Sequence, residues 1–395
     1  MTIDPSVEIR RIETFHIRLG GRSYWESYLD GRAREAARFL TRPGWRTAYP
    51  AAVETVFVKV ELADGTIGMG EPNAPIGPEV TGLIARELIQ PLVLDRTFPH
   101  PEAMWDFLYD AERGRGHGAG FYLDAIAGVD LAVWDALARR ADLPLAALLA
   151  ERPRRAIPVY LSGLRRATRE ERIGHARRWS GEGGSGIKLF LDGDLAAGEA
   201  ELQALQAAVP EVRRWMVDVL WSFEDLESAA EAKAAYGALG ATWLECPMLP
   251  EDLEGHVRLG HRPGAPVALG ESFHTRFEAR PWLERGAVQV FQPDVGRSGI
   301  SDGRRQLDLA RRAGIPVTPH MGSGLDLFQA ATLHFAAACG DEHLAEYQAG
   351  LAGRLGDAVD SAWRYETGGF VLPDRPGTGV EVAFDRLEPF LVSAS

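Results

Sequence analysis

The stretch WMVDVLWSFEDLESAAEAKAAYGALGATWLE, residues 215–245, contains two short apolar runs on either side of a helical pattern. Trp215–Leu220 and Thr242–Glu245 predict strands because each is a short apolar run bounded by polar or turn residues. Phe223–Leu239 between them predicts a helix. A strand, a helix and a second strand joined by tight loops are typical of a parallel βαβ unit.

The same unit repeats along the chain from residue 157 onward, where apolar runs alternate with helical patterns. The predicted strands are Pro158–Ser162, Gly186–Leu191, Trp215–Leu220, Thr242–Glu245, Val267–Gly270, Val288–Gln292, Pro316–Thr318 and Leu344–Tyr347. Eight strands separated by helices predict a closed (β/α) barrel, which brings the carboxyl ends of all its strands to one mouth. Earlier in the chain, Thr55–Leu62 and Thr66–Glu71 predict a hairpin, because Asp64-Gly65 between them is a turn signal.

A polar residue falls at the end of nearly every predicted barrel strand. The series is Lys188, Asp218, Glu245, Glu271, Asp294, His320 and Glu346, with neighbours separated by 23 to 30 residues. A single acidic residue at a strand end usually caps a helix or forms an ion pair. Seven such residues in phase with the repeat predict instead one shared site at the mouth of the barrel.

Three of these residues, Asp218, Glu245 and Glu271, are carboxylates from successive strands. Oxygen ligands suit a hard divalent cation, and Mg²⁺ keeps coordination positions open for water or substrate. Without a cation the three carboxylates would repel one another or take up protons. The sequence therefore predicts that they bind Mg²⁺.

The other four residues suit proton transfer. Lys188 and His320 lie on opposite sides of the carboxylates in strand order, and a nearby cation would lower the Lys188 pKa enough for it to act as a base. Asp294 would orient His320 through a hydrogen bond. Glu346, if protonated, would donate a hydrogen bond to a developing enolate oxygen. Two bases beside a metal predict abstraction of a proton α to a carboxylate.

Several segments of the chain are similar to stretches of a known family. They are Ala127–Asp135, Gly186–Lys188, Val217–Asp218, Trp243–Pro247, Leu269–Ser272, Gln292–Gly299, Pro319–Met321, Ala345–Tyr347 and Pro376–Val380. Together they resemble the mandelate racemase subgroup of the enolase superfamily over nearly the whole chain. The resemblance implies an α/β protein with a modified (β/α)7β TIM-type barrel and an α+β capping domain. We place the capping domain at residues 1–125, completed by about 366–395, and the barrel at 126–365.

The resemblance also implies a function. It implies Mg²⁺ held by the three carboxylates, bases at Lys188 and at the His320–Asp294 dyad, and a homo-oligomer. Most relatives with these groups dehydrate sugar acids, so we expect a hydro-lyase that converts an aldonate or aldarate into a 2-keto-3-deoxy acid. Lys188 or His320 would take the α proton, Mg²⁺ and Glu346 would hold the enolate, and His320 would protonate the leaving hydroxyl.

Two departures from the family pattern keep other functions open. Gly186 stands where the family often has a lysine, and Leu220 stands where it often has an asparagine. One alternative is a racemase or epimerase of an α-hydroxy acid, in which two bases act on opposite faces. Another is a relative that binds metal without catalysing a reaction.

Candidate substrate-binding residues lie in the early polar segment and after the second helical pattern. Arg22, Tyr24 and Trp25 occupy the position of the family's capping loop, and Arg46 and His117 are further candidates. Arginine binds carboxylates through two parallel hydrogen bonds, which suits the distal end of an acid.

Composition narrows the class of protein. The 395 residues carry a formal net charge of −13 and no long basic run, so nucleic acid is not an expected partner. Cys246 and Cys339 are too few for a disulfide framework and are expected to be reduced. The chain shows neither a signal peptide nor an apolar run long enough to span a membrane. We expect a cytoplasmic enzyme that acts on a small carboxylate.

Overall fold

The structure is a computed structural model that describes residues 4–20, 38–41, 47–340 and 344–394. Within these residues the strands are β1 (Val7–Leu19), β2 (Phe39–Leu40), β3 (Tyr49–Pro50), β4 (Val53–Leu62), β5 (Ile67–Gly70), β6 (Thr97–Phe98), β7 (Ala156–Ser162), β8 (Gly186–Phe190), β9 (Arg214–Asp218), β10 (Leu244–Glu245), β11 (Val267–Leu269), β12 (Val290–Phe291), β13 (Ala345–Tyr347), β14 (Val359–Ser361), β15 (Arg364–Glu366), β16 (Gly369–Val371), β17 (Val380–Val382) and β18 (Leu391–Ala394).

The helices alternate with the strands of the central part of the chain. They are α1 (Pro78–Ile84), α2 (Gln90–Val93), α3 (Pro101–Arg113), α4 (Phe121–Arg140), α5 (Ala146–Leu149), α6 (Arg169–Gly181), α7 (Leu195–Ala208), α8 (Leu226–Ala238), α9 (Leu253–Gly260), α10 (Arg276–Glu284), α11 (Val295–Arg312) and α12 (Asp326–Ala338). A π-helical turn, Ala85–Ile89, joins α1 to α2, and short 3₁₀ turns occupy Gly356–Ala358, Phe384–Arg386 and Glu388–Phe390. No helix in the described part of the chain is long and apolar enough to cross a membrane.

An antiparallel sheet in the order β18-β1-β4-β5 forms the capping domain, with β6 paired to the start of β1. Strands β4 and β5 pair across the predicted hairpin. Helix α4 lies on this sheet so closely that a Cβ at Gly68 would collide with the backbone of Ala132, and one at Gly70 with that of Gly128. Glycine at these two positions therefore allows the helix backbone to approach the sheet.

The predicted boundary between residues 125 and 126 falls inside helix α4 and stays a prediction. The helix runs unbroken from Phe121 to Arg140. Ile126, Val129 and Val133 on one face of the helix belong to the same apolar cluster as the capping strands. Leu131, Trp134 and Ala138 of the same helix belong instead to the barrel cluster, so α4 packs between the capping sheet and the barrel.

Parallel strands β7 to β12 pair in sequence order, and β13 pairs with the other side of β7. A bridge between Phe291 and Val317 adds the seventh predicted run to the barrel next to β12. The predicted barrel class is therefore confirmed, and the polar residues at its strand ends are directed to one mouth.

The carboxyl-terminal segment divides between the two domains. Strand β18 pairs with β1, so the end of the chain completes the capping sheet. Strand β16, however, pairs antiparallel with β7 of the barrel. The predicted assignment of about 366–395 to the capping domain stays a prediction. Within that segment β18 joins the capping sheet and β16 pairs with the first residues of β7, whose edge is open there.

Contacts from the capping domain anchor the start of α11, which directly follows Asp294. The indole Nε1 of Trp105 donates a hydrogen bond to the Ser298 carbonyl at 2.9 Å. The Asp130 carboxylate accepts a hydrogen bond from the Ser301 backbone N–H at 2.9 Å. Both domains therefore fix the position of the strand end that carries Asp294.

Candidate active site

A cavity of about 640 Å³ lies between the barrel mouth and the capping domain. The barrel contributes Lys188, Asp218, Glu271 and His320 to its lining. These side chains come from four separate βα units, so the closed ring of strands brings together residues that are distant in sequence.

The carboxylates of Asp218, Glu245 and Glu271 form a compact cluster. Each offers an oxygen, and these oxygens all lie within 4.8 Å of one another. Asp218 and Glu245 are direct neighbours in the β9–β10 register, and both are almost fully buried. Three converging carboxylate oxygens are a donor set that suits a hard divalent cation.

The pKa shifts of two of these carboxylates support the suitability of the cluster for a cation. Burial raises the pKa of Asp218 well above its usual value, and the neighbouring charge of Glu245 raises it further. Burial also raises the pKa of Glu271. Both shifts show that the site holds more negative charge than its surroundings stabilise, which a bound cation would relieve.

Two uncharged hydrogen-bond donors orient the Glu245 carboxylate. The Trp243 indole Nε1 and the Gln292 amide Nε2 donate hydrogen bonds to Glu245 Oε2, at 3.0 and 2.8 Å. Because these donors hold one oxygen, the carboxylate is fixed in rotation, as expected of groups that orient a metal ligand.

His320 and Asp294 form a dyad on one side of the carboxylates. His320 Nδ1 donates a hydrogen bond to Asp294 Oδ2 at 2.7 Å, which leaves Nε2 as the free ring nitrogen, 3.4 Å from Glu271 Oε2. The Asn73 amide donates to the same Asp294 oxygen at 2.7 Å, and the Gly296 N–H donates to the other at 2.7 Å. Asp294 is thereby held by both domains and holds the imidazole in turn.

The charges around His320 favour its protonated form. Burial alone would lower the pKa of the imidazole, but the negative charges of Glu271 and Glu346 and the contact with Asp294 raise it to about 9. A cation on the carboxylates would oppose this shift, because it neutralises the charge of Glu271.

Lys188 lies deeper than the sequence predicted. Its side chain is 1% exposed, and Nζ lies 2.5 Å from Glu245 Oε1 and 2.8 Å from Glu346 Oε1. Burial alone would lower its pKa, but these two carboxylates raise the pKa well above its usual value. The predicted lowering of the Lys188 pKa applies to a site with a bound cation and stays a prediction; without a cation, the two carboxylates that contact the ammonium group favour its charged form.

Glu346 is the second carboxylate that contacts Lys188. Burial alone would raise its pKa, but the positive charges of Lys188 and His320 lower it to about 2. The Met321 backbone N–H also donates to Glu346 Oε2 at 3.0 Å. In this arrangement Glu346 is an ionised partner of Lys188, and the hydrogen bond that a protonated Glu346 would donate to an enolate oxygen stays a prediction.

Position 186 has no room for a lysine. A Cβ added to Gly186 would lie 2.7 Å from Leu344 Cδ1 and 2.9 Å from Tyr160 Cβ. Gly186 precedes Lys188 by two residues, so both face the same side of strand β8. Gly186 therefore lies one layer further inside the barrel than Lys188. This departure from the family pattern is thus a packing requirement.

Phe190, not Lys188, occupies the level of the carboxylates on strand β8. The strand register pairs Phe190 with Asp218 and pairs Lys188 with Met216, below that level. The ring centre of Phe190 lies 5.3 Å from Lys188 Nζ. The sequence contained a signal for this arrangement, because Phe190 follows Lys188 by two residues and so faces the same side of the strand.

The remaining predicted residues fall outside this arrangement. Arg22, Tyr24, Trp25 and Arg46 lie outside the described residues. His117 follows the end of α3, is exposed and has its Nε2 4.0 Å from Glu112. It is not among the described residues that line the cavity, and its predicted substrate contact stays a prediction.

Other cavity residues were missed because no local pattern marks them. Asn73 and Tyr49 come from the capping domain and line the cavity together with Asp124 and Arg297. Arg297 Nη1 lies 3.6 Å from Asp124 Oδ1 across the domain interface. Their role depends on how the two domains meet, which sequence spacing does not reveal.

Comparison with known proteins gives consistent matches over most of the chain. It is 28% identical to D-galactarolactone cycloisomerase of Agrobacterium fabrum over 357 residues, 85% of this chain and 90% of that protein. It is 27% identical to arabinonate dehydratase of Saccharolobus solfataricus over 341 residues, 84% of this chain and 88% of that protein. The crystal structure of an enolase superfamily member from Agrobacterium tumefaciens superposes with a TM-score of 0.86 at 27% identity, covering 99% of this chain and 100% of that chain.

Family models match both domains. Residues 171–386 match the enolase C-terminal domain-like family, which is more than half of the chain. Residues 41–150 match the N-terminal domain of mandelate racemase and muconate lactonizing enzyme. The chain therefore belongs to the mandelate racemase / muconate lactonizing enzyme family of the enolase superfamily.

Proposed function

We propose that this protein is a Mg²⁺-dependent acid-sugar dehydratase, a lyase that removes water from an aldonate or aldarate. The observation that carries the proposal is the His320–Asp294 dyad beside three clustered carboxylates, with the His320 Nε2 3.4 Å from Glu271. In this proposal His320 is a proton acceptor next to the position where a cation on the three carboxylates would hold a substrate carboxylate.

Asp218, Glu245 and Glu271 are the residues that would hold Mg²⁺. When bound, Mg²⁺ supplies positive charge that stabilises the negative charge developing on the substrate carboxylate as its α proton leaves. Glu245 stays oriented throughout, because Trp243 and Gln292 fix one of its oxygens.

His320 moves the protons. Its Nε2 takes the proton from the α carbon, and Asp294 stabilises the resulting imidazolium through Nδ1–H. The electron pair left on the α carbon forms a double bond to the β carbon as the C–O bond of the β-hydroxyl breaks. His320 returns the proton to that oxygen, so water leaves and the enol becomes a 2-keto-3-deoxy acid.

Lys188 serves as a positioning residue in this proposal. Its ammonium group keeps contact with Glu245 and Glu346, so it neutralises charge behind the carboxylate cluster. Among the described residues that line the cavity, His320 is then the side chain suited to accept the α proton. A single base favours elimination, which one histidine can complete, over racemisation, which needs a base on each face of the substrate.

A cycloisomerase is the second candidate, favoured by the 28% identity to D-galactarolactone cycloisomerase over 85% of the chain. The same proton abstraction by His320 would apply if the leaving β-oxygen were part of a ring. The ring would then open without loss of water, and the product would be an isomer of the substrate.

A substrate screen tests the proposal. Purified protein with Mg²⁺ is incubated with a panel of aldonates, aldarates and their lactones, and products are identified by mass and by formation of a 2-keto acid. We expect loss of water from at least one acid, abolished in His320→Asn. A product of unchanged mass from a lactone would favour the cycloisomerase, and turnover of no acid or lactone would contradict both candidates.

A further inference from the structure

Helix α12 is capped by a residue of the other domain. Its N-cap residue is Leu325, whose side chain makes no hydrogen bond to the first turn. Glu71, which directly follows β5 of the capping domain, binds that turn instead. Its Oε1 accepts a hydrogen bond from the Leu325 N–H at 2.7 Å, and its Oε2 accepts one from the Phe328 N–H at 3.0 Å. Because both oxygens of one carboxylate are used, Glu71 fixes the start of α12 in position and in orientation.

The charge of Glu71 is fully buried. The side chain is 0% exposed, and burial raises its pKa to about 7, although the two backbone N–H groups act in the opposite direction. The positive end of the α12 dipole stabilises the ionised form. A glutamine would fill the same space without a charge, but its amide oxygen could accept only one of the two hydrogen bonds. The carboxylate is therefore suited to hold two points of the turn at once.

The segment 320–325 joins His320 to the turn that Glu71 holds. At its start this segment is bound to the barrel: the His320 N–H donates a hydrogen bond to the Pro293 carbonyl at 3.0 Å, and the Met321 N–H donates one to Glu346 Oε2 at 3.0 Å. At its end it is bound to the capping domain through Glu71. The two ends of the segment are thus held by different domains.

Two glycines in the middle of the segment pack tightly. A Cβ added to Gly322 would lie 2.3 Å from Asn73 Nδ2, and one added to Gly324 would lie 2.4 Å from Phe328 Cδ1. Glycine leaves the backbone more freedom than any other residue, so the path of the segment depends on its anchors and on this close packing. A displacement at the Glu71 end therefore reaches the residues next to His320.

We propose that Glu71 is a positioning residue for the imidazole of His320. The capping segment Glu71–Asn73 then holds both members of the dyad, because Asn73 donates a hydrogen bond to Asp294 at 2.7 Å and Glu71 holds the far end of the segment that carries His320. The inference rests on the proposed function only in that His320 moves the protons. Small displacements of a group that transfers a proton slow the reaction strongly.

The hydrogen bond from His320 Nδ1 to Asp294 reports the position of the imidazole without turnover. The full-length protein is labelled with ¹⁵N-histidine and studied by NMR in saturating Mg²⁺ at pH 8, above the Glu71 pKa of about 7. The His320 Nδ1–H signal is identified by its absence from His320→Asn. It is compared in the wild type, Glu71→Gln and Glu71→Asp.

Asp135→Asn is the matched control. Asp135 is also 0% exposed and also accepts hydrogen bonds from two backbone N–H groups, those of Met69 at 2.9 Å and Thr378 at 2.6 Å. Neither donor belongs to the segment 320–325. The control therefore removes the charge of a buried carboxylate that holds two backbone groups elsewhere in the molecule.

In Glu71→Gln we expect the His320 Nδ1–H signal to move upfield and to exchange faster with water, because the charge-assisted hydrogen bond to Asp294 weakens. With any acid that the wild type turns over, kcat should fall about tenfold at little changed KM. Glu71→Asp keeps the charge but withdraws the oxygens by one methylene, so it should show the same changes to a smaller degree. It replaces Glu71→Gln if that variant does not fold. Asp135→Asn should keep the wild-type signal.

Three results would assign Glu71 to the stability of α12 alone and overturn the inference. They are an unchanged His320 signal or wild-type kcat in a folded Glu71 variant, an equal change of the signal in Asp135→Asn, and loss of folding in both Glu71 variants. The sugar-acid screen is scored separately, because the NMR signal needs no substrate. A changed signal in a protein that turns over no acid refutes the proposed function alone, and dehydration with an unchanged signal refutes this inference alone.

Discussion

The two sides of the cavity are built differently although the same strand repeat produces both. On one side His320, Asp294 and Asn73 form a hydrogen-bonded chain that spans the barrel and the capping domain. On the other side Phe190 stands at the level of Asp218, and Lys188 is buried beneath it. The difference teaches that the position of a side chain along its strand decides which groups it contacts: Lys188 lines the cavity and yet is held by Glu245 and Glu346.

The largest effect is expected on the polar side. His320→Asn should lower kcat about 10²- to 10⁴-fold, because it removes the group that takes and returns the proton. Mg²⁺ affinity, measured by calorimetry, should change little, since the three carboxylates remain. Retention of more than a tenth of wild-type kcat would contradict the proton-transfer role of His320.

On the other side, Lys188→Met should affect stability. It leaves Glu245 and Glu346 buried without their cation, which costs about 3–5 kcal/mol in the free energy of unfolding. Because Mg²⁺ supplies positive charge beside Glu245, saturating Mg²⁺ should restore part of the loss in urea unfolding.

Lys233→Met is the matched control for this prediction. Lys233 is equally buried, but its Nζ donates to the Ala265 carbonyl at 2.8 Å and lies 3.2 Å from Gln289 Oε1, both neutral groups. Its destabilisation should therefore not respond to Mg²⁺. An identical response of the two variants to Mg²⁺ would show that Lys188 does not compensate the metal-site charge.

A smaller effect is expected at Asn73, the end of the hydrogen-bonded chain. Asn73→Ala removes a hydrogen bond to the ionised Asp294 and should lower kcat about tenfold, because a hydrogen bond to a charged group contributes about 1.5–3 kcal/mol. The pKa seen in the pH–rate profile should also shift, which a purely structural role would not cause. A drop in thermal stability with kcat and the profile unchanged would assign Asn73 to packing alone.

The last prediction concerns the pH dependence of stability without metal. The His320 pKa is raised from 6.5 to about 9, so its stabilisation is fully present below pH 6.5 and is lost as the pH rises to about 9. The Glu346 pKa is lowered from 4.5 to about 2, so its stabilisation is lost as the pH falls through that range. Urea unfolding of the metal-free protein against pH should show the alkaline loss, and His320→Asn should remove it.

The barrel and the convergence of its polar residues were predictable from sequence, because strand period and strand spacing determine which side chains meet. Asp218, Glu245, Glu271, Asp294 and His320 therefore come together as expected. The charge states of Lys188 and Glu346 were not predictable, since they depend on which carboxylates contact the ammonium group. The contribution of Asn73 was not predictable either, because local sequence patterns do not show how the two domains contact each other.

One measurement tests most directly whether proton transfer occurs from one side only. Wild-type protein with Mg²⁺ is given each member of C2-epimeric pairs of sugar acids, such as arabinonate and ribonate, in deuterated water, and recovered acid and product are examined by NMR. We predict that at most one epimer of each pair is consumed, with keto acid formed and no inversion at C2 of the recovered acid. Interconversion of the two epimers would contradict the account, because it requires a second base on the side where Phe190 stands.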